Sequence, residues 1–278
     1  MKNRILYICF GDIQYFNEVK FSILTLIATS ELESQNCEIN VLTDKPEEFS
    51  HYPIKTVNIT PKQIKDWSIN GSYNFRVKNR GMSFFMDSIV EKEEYKILYL
   101  DTDTYFKNFP VAVFNKISKS HSILYLNEGS VHRKKRFSEY KNALKGRQII
   151  LKDFIYSLNN DSYVWGSLMI GISSENKFII DMADQLMLEF YRDIKIHTIE
   201  EFALSECIKI YSEISEGRKF LCNYSTSGKK RYVRPILEKF FKKYGNNDIR
   251  TQAEQASNLK LNRPFLEIIK QRIDRILE

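Results

Sequence analysis

An apolar run that stops on two carboxylates one residue apart, Lys96-Ile-Leu-Tyr-Leu-Asp101-Thr102-Asp103-Thr-Tyr-Phe106, is the sharpest chemical signal in this 278-residue sequence. Aspartates so spaced at a strand end each offer hard oxygen to Mg²⁺ or Mn²⁺, leaving the other octahedral positions to water and diphosphate oxygens. An ion held there neutralises charge growing on a departing diphosphate, as Lewis acid and template. Simple turn formation also produces D-x-D pairs. This one gains weight from its apolar lead-in and its place well inside an alternating strand and helix pattern. A second acidic group, Glu200 and Glu201 in His197-Thr-Ile-Glu-Glu-Phe-Ala-Leu-Ser205, stands at a helix start, where either residue can serve as base or electrostatic stabiliser. Thr198 and Glu201 match an S/T-x-x-E capping box, which gives Glu201 a structural duty; Glu200 would at least favour the positive end of the helix.

The elements that must position these residues are legible in the hydrophobic pattern. Arg4 to Phe10 is a continuous apolar run closed by Gly11-Asp12, as in a strand covered on both faces. A helical stripe follows between Asn17 and Ser34, then a strand from Glu38 to Thr43 and an edge-like strand from Ile54 to Ile59. Met82, Phe85, Met86, Ile89 and Val90 mark a helix that opens with Arg76, Lys78 and Arg80, and Lys96–Leu100 is the next strand. Further strands are expected at Ser122–Leu126 and Ser167–Ile172, with a basic, helical stretch between Arg133 and Leu158. Amphipathic helices follow over Ile179–Phe190 and from Thr198. The alternation predicts an α/β fold, a Rossmann-like and mostly parallel sheet flanked by helices, with its ligand site beyond the carboxyl ends of the strands. One domain over 1–244 is expected, followed by a C-terminal helical tail over 245–278 whose polar first part leads to a short helix from Pro264.

Composition sets bounds. The net charge of +7 favours anionic partners, and much of the positive charge lies in His132–Arg136 and in Lys229–Lys243. Nucleic acid is not expected, because zinc spacing, an aromatic RNA-binding signature and a helix-turn-helix are all missing. The basic residues of Lys229–Lys243 interleave with Tyr232, Ile236, Leu237, Phe240 and Phe241, as in an interfacial helix on an anionic membrane, or equally in a helix docked on the main domain. No run is long and apolar enough to span a bilayer, and MKNRILYICFGD lacks the features of a signal peptide, so a cytoplasmic location is expected, peripheral at the membrane's inner face if the basic region binds lipid. Cys9, Cys37, Cys207 and Cys222 show no metal-type spacing and read as reduced structural thiols.

Several of these segments together resemble the GT-A class of glycosyltransferases, in particular family-eight-like nucleotide-diphospho-sugar transferases of bacterial surface-polysaccharide synthesis. The resemblance is carried by Ile5–Tyr15, Val41–Asp44, Arg76–Arg80, the Asp101/Asp103 motif and Tyr163–Ile172. It implies a transferase taking a nucleotide sugar, a UDP-sugar by preference, with Mn²⁺ or Mg²⁺ on Asp101 and Asp103. The acceptor would be a glycan or a lipid-linked saccharide, as in lipopolysaccharide or capsule synthesis. Phe10, Gly11, Asp12 and Asp44 would face the nucleoside; Arg76, Lys78, Arg80 and the Asp101-Thr102-Asp103 turn would meet the diphosphate or sugar. Glu200 and Glu201 would line the acceptor side, with Trp165, Gly166 and Ser167 as sugar contacts. The sequence departs from the family at Gly166-Ser167-Leu168, where an Asn-Ser-Gly type is common, and in having no histidine after His197.

Two other readings compete. Asp101 and Asp103 can be the nucleophile and acid of a haloacid-dehalogenase-like phosphatase, although that motif ordinarily closes the first strand. A non-catalytic protein binding through its basic surface is the other.

Overall fold

β1 (Lys2–Cys9) shows why a sheet with two covered faces forms here. Ile5, Tyr7 and Cys9 join one apolar cluster while Leu6 and Ile8 join another, so the period-two alternation of a strand feeds two cores at once. The computed structural model describes residues 1–29, 36–90, 93–108, 111–152, 154–264 and 268. After β1 come α1 (Ile13–Thr29), β2 (Cys37–Thr43), β3 (Lys55–Asn58), α2 (Pro61–Trp67), α3 (Arg76–Ser88), β4 (Tyr95–Leu100), β5 (Thr104–Tyr105) and β6 (His121–Ser130). The second half contributes α4 (Ser138–Leu144), β7 (Gln148–Leu151), β8 (Phe154–Ser157), β9 (Tyr163–Ser173), α5 (Lys177–Asp193) and α6 (Ile199–Tyr211). It closes with β10 (Glu213–Glu216), β11 (Cys222–Asn223), α7 (Ser227–Tyr244) and α8 (Ile249–Ser257).

Seven strands form the central sheet in the order β10-β6-β9-β4-β1-β2-β3. β2, β3 and β4 run parallel to their neighbours in the β1 half, and β9 alone runs antiparallel, between β4 and β6. The carboxyl ends of β1, β2, β4 and β6 therefore lie along one edge of the sheet. Helices α3, α5 and α6 cover one face, where Met82, Phe85, Met187, Phe190 and Phe202 meet sheet residues such as Leu6 and Ile97. On the other face α1 packs through Phe16, Val19 and Ile23. α7 and α8 then close over α1, with Phe21 and Leu24 against Val233, Leu237, Phe240, Ala253 and Ala256. A small ladder, β5 antiparallel to β11, brings the chain after β10 back beside the Asp101–Asp103 turn and feeds it into α7.

Three local expectations are revised. The stretch from Arg133 to Leu158 is helical only over α4; Gly146, with φ of +72°, takes the backbone out of the helix, and the alternation of Ile149 to Leu151 and Phe154 to Tyr156 then makes a β7–β8 hairpin. The capping box expected of Thr198 and Glu201 does not form. Thr198 Oγ1 pairs instead with the Tyr140 hydroxyl at 2.8 Å, and the box appears at α2, between Thr60 and Gln63. The polar segment after Gly245 contains α8, capped by Asp248 and buried against α1 through Ala253 and Ala256, so the tail begins as part of the folded body. The helix expected from Pro264 onward falls, Ile268 apart, outside the described residues.

Candidate active site

Asp101 is the first residue beyond β4, and its N–H donates to Leu168 O of the antiparallel neighbour at 3.0 Å. Thr104 Oγ1 closes the turn on Asp101 O at 2.7 Å. The two carboxylates meet different surroundings. Asp101, partly exposed, accepts from the Tyr99 hydroxyl at 2.7 Å and lies 3.3 Å from Lys78 Nζ. Asp103 is 4% exposed; its Oδ2 pairs with Lys230 Nζ at 2.7 Å, while its Oδ1 is buried without a hydrogen-bond partner. Burial, reinforced by the neighbouring Asp101 charge, pushes the Asp103 carboxyl up to about 6 against the pull of Lys230. A desolvated, unbonded carboxylate oxygen is costly, and a cation would relieve it.

Lys78 joins this turn to a second cluster. Its Nζ donates to Ser167 Oγ at 2.6 Å and pairs with Glu200 Oε1 at 3.3 Å. Burial alone would lower the Lys78 pKa, yet Asp101, Glu200 and Glu201 together hold it above the ordinary lysine value. Glu200, 1% exposed, also accepts from the Tyr73 hydroxyl at 3.1 Å. Glu201, released from the cap, accepts from Ser167 N–H at 3.0 Å, with Ser167 Oγ 3.1 Å away. Burial first, and then the Glu200 charge, raises the Glu201 pKa to about 8, which places a proton-holding carboxyl beside an ionised cluster near neutral pH.

The other sequence-derived residues divide by geometry. Arg76 clamps Asp184 of α5 at 2.8 and 2.9 Å, and Arg80 lies 3.8 Å from the same carboxylate. Residues four apart share a helix face and a residue two away points elsewhere; hence Lys78 reaches Asp101 while both arginines face α5. Thr102 Oγ1 donates to Glu18 of α1 at 2.8 Å. Gly11, with φ of +85°, follows β1 and its N–H donates to Asp44 beyond β2 at 3.3 Å. Phe10, Gly11, Asp12 and Asp44 thus share the sheet edge with Asp101, and Asp44 Oδ1 is a second buried oxygen without a partner. Ser167 is fully buried in the Lys78 cluster, and at Gly166 an added Cβ would sit 3.4 Å from a Glu128 oxygen. Trp165 is half-buried and lines a groove of about 780 Å³ with Tyr163, Asn127, Ser205 and Lys209.

Three contributors were not singled out in the sequence. Lys230 and Arg234, one turn apart on α7, reach Asp103 and the fully buried Glu18, the latter at 2.8 Å. They were legible only as members of a basic stretch. Glu18, flanked by Phe16 and Val19 in an otherwise apolar helix, was the available signal, since a buried carboxylate requires a partner.

No protein-family model matches this sequence, and no curated protein matches it. Among solved structures the chain is similar to the apo form of glycosyltransferase GlyE from Streptococcus pneumoniae TIGR4, with a TM-score of 0.50 and 11% identity over 95% of this chain and 65% of that one. The fold is GT-A. The chain spans less than two thirds of GlyE's length. Mouse xyloside xylosyltransferase 1, also in its apo form, gives a TM-score of 0.48 at 10% identity, covering 78% of this chain and 85% of that one. In this GT-A chain the carboxylate pair follows β4 at the edge where open α/β sheets bind ligands.

The residues at the turn fit a divalent ion of the magnesium type. Such ions are held by one or two carboxylates together with substrate phosphates and water. Asp101 and Asp103 supply hard oxygens, one of them an unbonded Asp103 oxygen. Among the described residues there is no group of three or more histidine, cysteine or acidic side chains placed for a metal. With Glu201 holding its proton, the four carboxylates of Glu18, Asp101, Asp103 and Glu200 still face only the three cations Lys78, Lys230 and Arg234 among the described ion pairs of the site.

Proposed function

We propose that this protein is a glycosyltransferase that moves a sugar from a nucleoside diphosphate donor, with Asp101 and Asp103 holding Mn²⁺ or Mg²⁺ against the diphosphate. The observation that carries the reading is the unbonded, buried oxygen of Asp103 beside Asp101 at the carboxyl edge of a GT-A sheet. The ion would supply charge neutralisation on the leaving diphosphate. Lys78 orients Asp101 and lends a fixed positive charge beneath it, and Lys230 does the same for Asp103. Asp44 and the Gly11 turn would face the nucleoside, a reading supported by the unpartnered Asp44 oxygen beside the Gly11 N–H. Uracil is the base we favour, in a UDP-sugar donor.

Glu200 spends its oxygens on Lys78, Tyr73 and Ser167, so its role is to hold Lys78 and Ser167 in place. Glu201 is the acid or base of the pair, because its raised pKa lets it hold or release a proton near neutral pH. The acceptor, a glycan or lipid-linked saccharide of surface-polysaccharide synthesis, would occupy the groove lined by Trp165 and Tyr163, whose rings offer stacking faces for sugars. No observation favours the phosphatase reading: Asp101 follows the fourth strand, and the fold is GT-A.

The test is thermal stabilisation by nucleoside diphosphates and nucleotide sugars, each with and without Mn²⁺ or Mg²⁺. A native-state ligand at about 100 times its Kd contributes about 2.7 kcal/mol. Stabilisation that needs nucleotide and metal together, and is lost in Asp101→Asn/Asp103→Asn, is expected. Absence of a response to any nucleotide would overturn the donor reading, and nucleotide stabilisation that ignores the metal would overturn the ion's part in it.

A further inference from the structure

The β7–β8 hairpin buries one face and presents the other to solvent. Ile149, Leu151 and Tyr156 point inward, with the Tyr156 ring edge-on to Phe190 of α5 at 5.3 Å. Ile150 and Ile155 point outward at 75% and 59% exposure, and they are direct cross-strand partners. Two large β-branched side chains side by side on an exposed strand pair form an apolar point that water disfavours.

Cations frame that point. From Arg133 to Ser157, the last residue of the hairpin, the sequence has eight basic residues and two acids, Glu139 and Asp153. Arg136 pairs with Glu128 and Arg147 with Asp193, but among the described residues no ion pair involves Arg133, Lys134, Lys135, Lys141, Lys145 or Lys152, all of them exposed. Phe137, Tyr140 and Leu144 tie this basic segment to the same core cluster as Ile149, Leu151 and Tyr156. The basic run leaves β6 at the strand's carboxyl end, the edge of the sheet that also bears Asp101.

We propose that this hairpin and its basic surround bind an anionic lipid bilayer, the isoleucine pair entering the acyl boundary while the lysines and arginines meet lipid phosphates. An apolar tip within a field of unpaired cations is complementary to a surface that is apolar beneath and negative above. Nucleic acid would use the cations and leave the isoleucines exposed. The α7 helix is a poorer candidate, because Val233, Leu237 and Phe240 are buried in the body and Lys230 and Arg234 are engaged at Asp103 and Glu18. Contact with lipid stands independently of the donor reading and goes beyond it: the carboxyl edge of the sheet would face the membrane, where a lipid-borne acceptor resides.

The experiment is co-sedimentation of the full chain with phosphatidylcholine vesicles and with phosphatidylcholine/phosphatidylglycerol vesicles at low and high salt. The expected result is binding to the anionic vesicles only, weakened by salt, and reduced roughly tenfold or more in Ile150→Ser/Ile155→Ser and in Lys134→Glu/Lys135→Glu. Lys242→Glu/Lys243→Glu on α7 should bind as the parent does. Each variant's melting temperature, with and without nucleotide and metal, establishes that it is folded and keeps the donor test separate. Absence of vesicle binding by the parent chain would overturn the proposal. So would full binding by the isoleucine variant, loss confined to the α7 variant, or a concentration-dependent dimer that the isoleucine substitutions abolish.

Discussion

Lys78 is the single side chain on which both halves of the candidate site depend. It is 8% exposed and lies within 3.3 Å of both Asp101 and Glu200. Removing one partner of a buried ion pair leaves an uncompensated charge, at a cost of about 3–5 kcal/mol. Lys78→Met should therefore lower stability by that order in denaturant unfolding, whereas Arg80→Met, half-exposed and 3.8 Å from Asp184, should change it little. Glu201 carries a pH signature. Folding raises its carboxyl from 4.5 to about 8, so the folded chain retains a proton that the unfolded chain has released. Stability tied to Glu201 is thus greatest below the unfolded value and declines as pH rises through the folded one. Melting temperatures between about pH 5 and about pH 9 should fall less steeply in Glu201→Gln than in the parent; identical slopes would show that Glu201 is not the raised group.

At the scale of elements, α3 and α7 reach the turn from opposite faces of the sheet, and each depends on close packing. Gly81 lets α3 lie on β1: an added Cβ would meet Ile8 Cδ1 at 2.5 Å, with Leu42 3.6 Å away. Overpacking of this kind costs about 1–3 kcal/mol, so Gly81→Ala should lower the melting temperature and move Lys78 relative to Asp101. α7 is held by Leu237, 1% exposed between Phe21 and Leu24 of α1 and its own neighbours. Leu237→Ala is expected to cost about 2–5 kcal/mol, and any nucleotide response should weaken with it as Lys230 loses its position.

For the molecule as a whole, the junction near residue 245 does not mark the end of the fold. α8 shields Phe21 and Leu24 of α1 through Ala253 and Ala256. Ending the chain at Tyr244 should lower the melting temperature and expose that apolar face to hydrophobic dyes; an unchanged melting temperature would show the segment to be dispensable. Much was legible in the sequence itself. The strands β1, β2 and β4 declared themselves because a strand covered on both faces must be continuously apolar, and the Asp101/Asp103 turn because carboxylates cannot continue such a run. Glu200 and Glu201 were legible as an acidic helix start. The hairpin after α4 was missed because short apolar runs suit helix and strand alike. Arg76 and Arg80 could not be separated from Lys78 by residue type, since all three are cations within one helical turn. Only the tertiary structure set Asp184 beside the arginines and Asp101 beside the lysine, turned Glu201 from its cap to Ser167, and brought Lys230 to Asp103 across more than a hundred residues of chain. Local pattern determines which face of an element is buried; which charges meet across two elements is decided by packing, because each buried ionised group must find its partner in space.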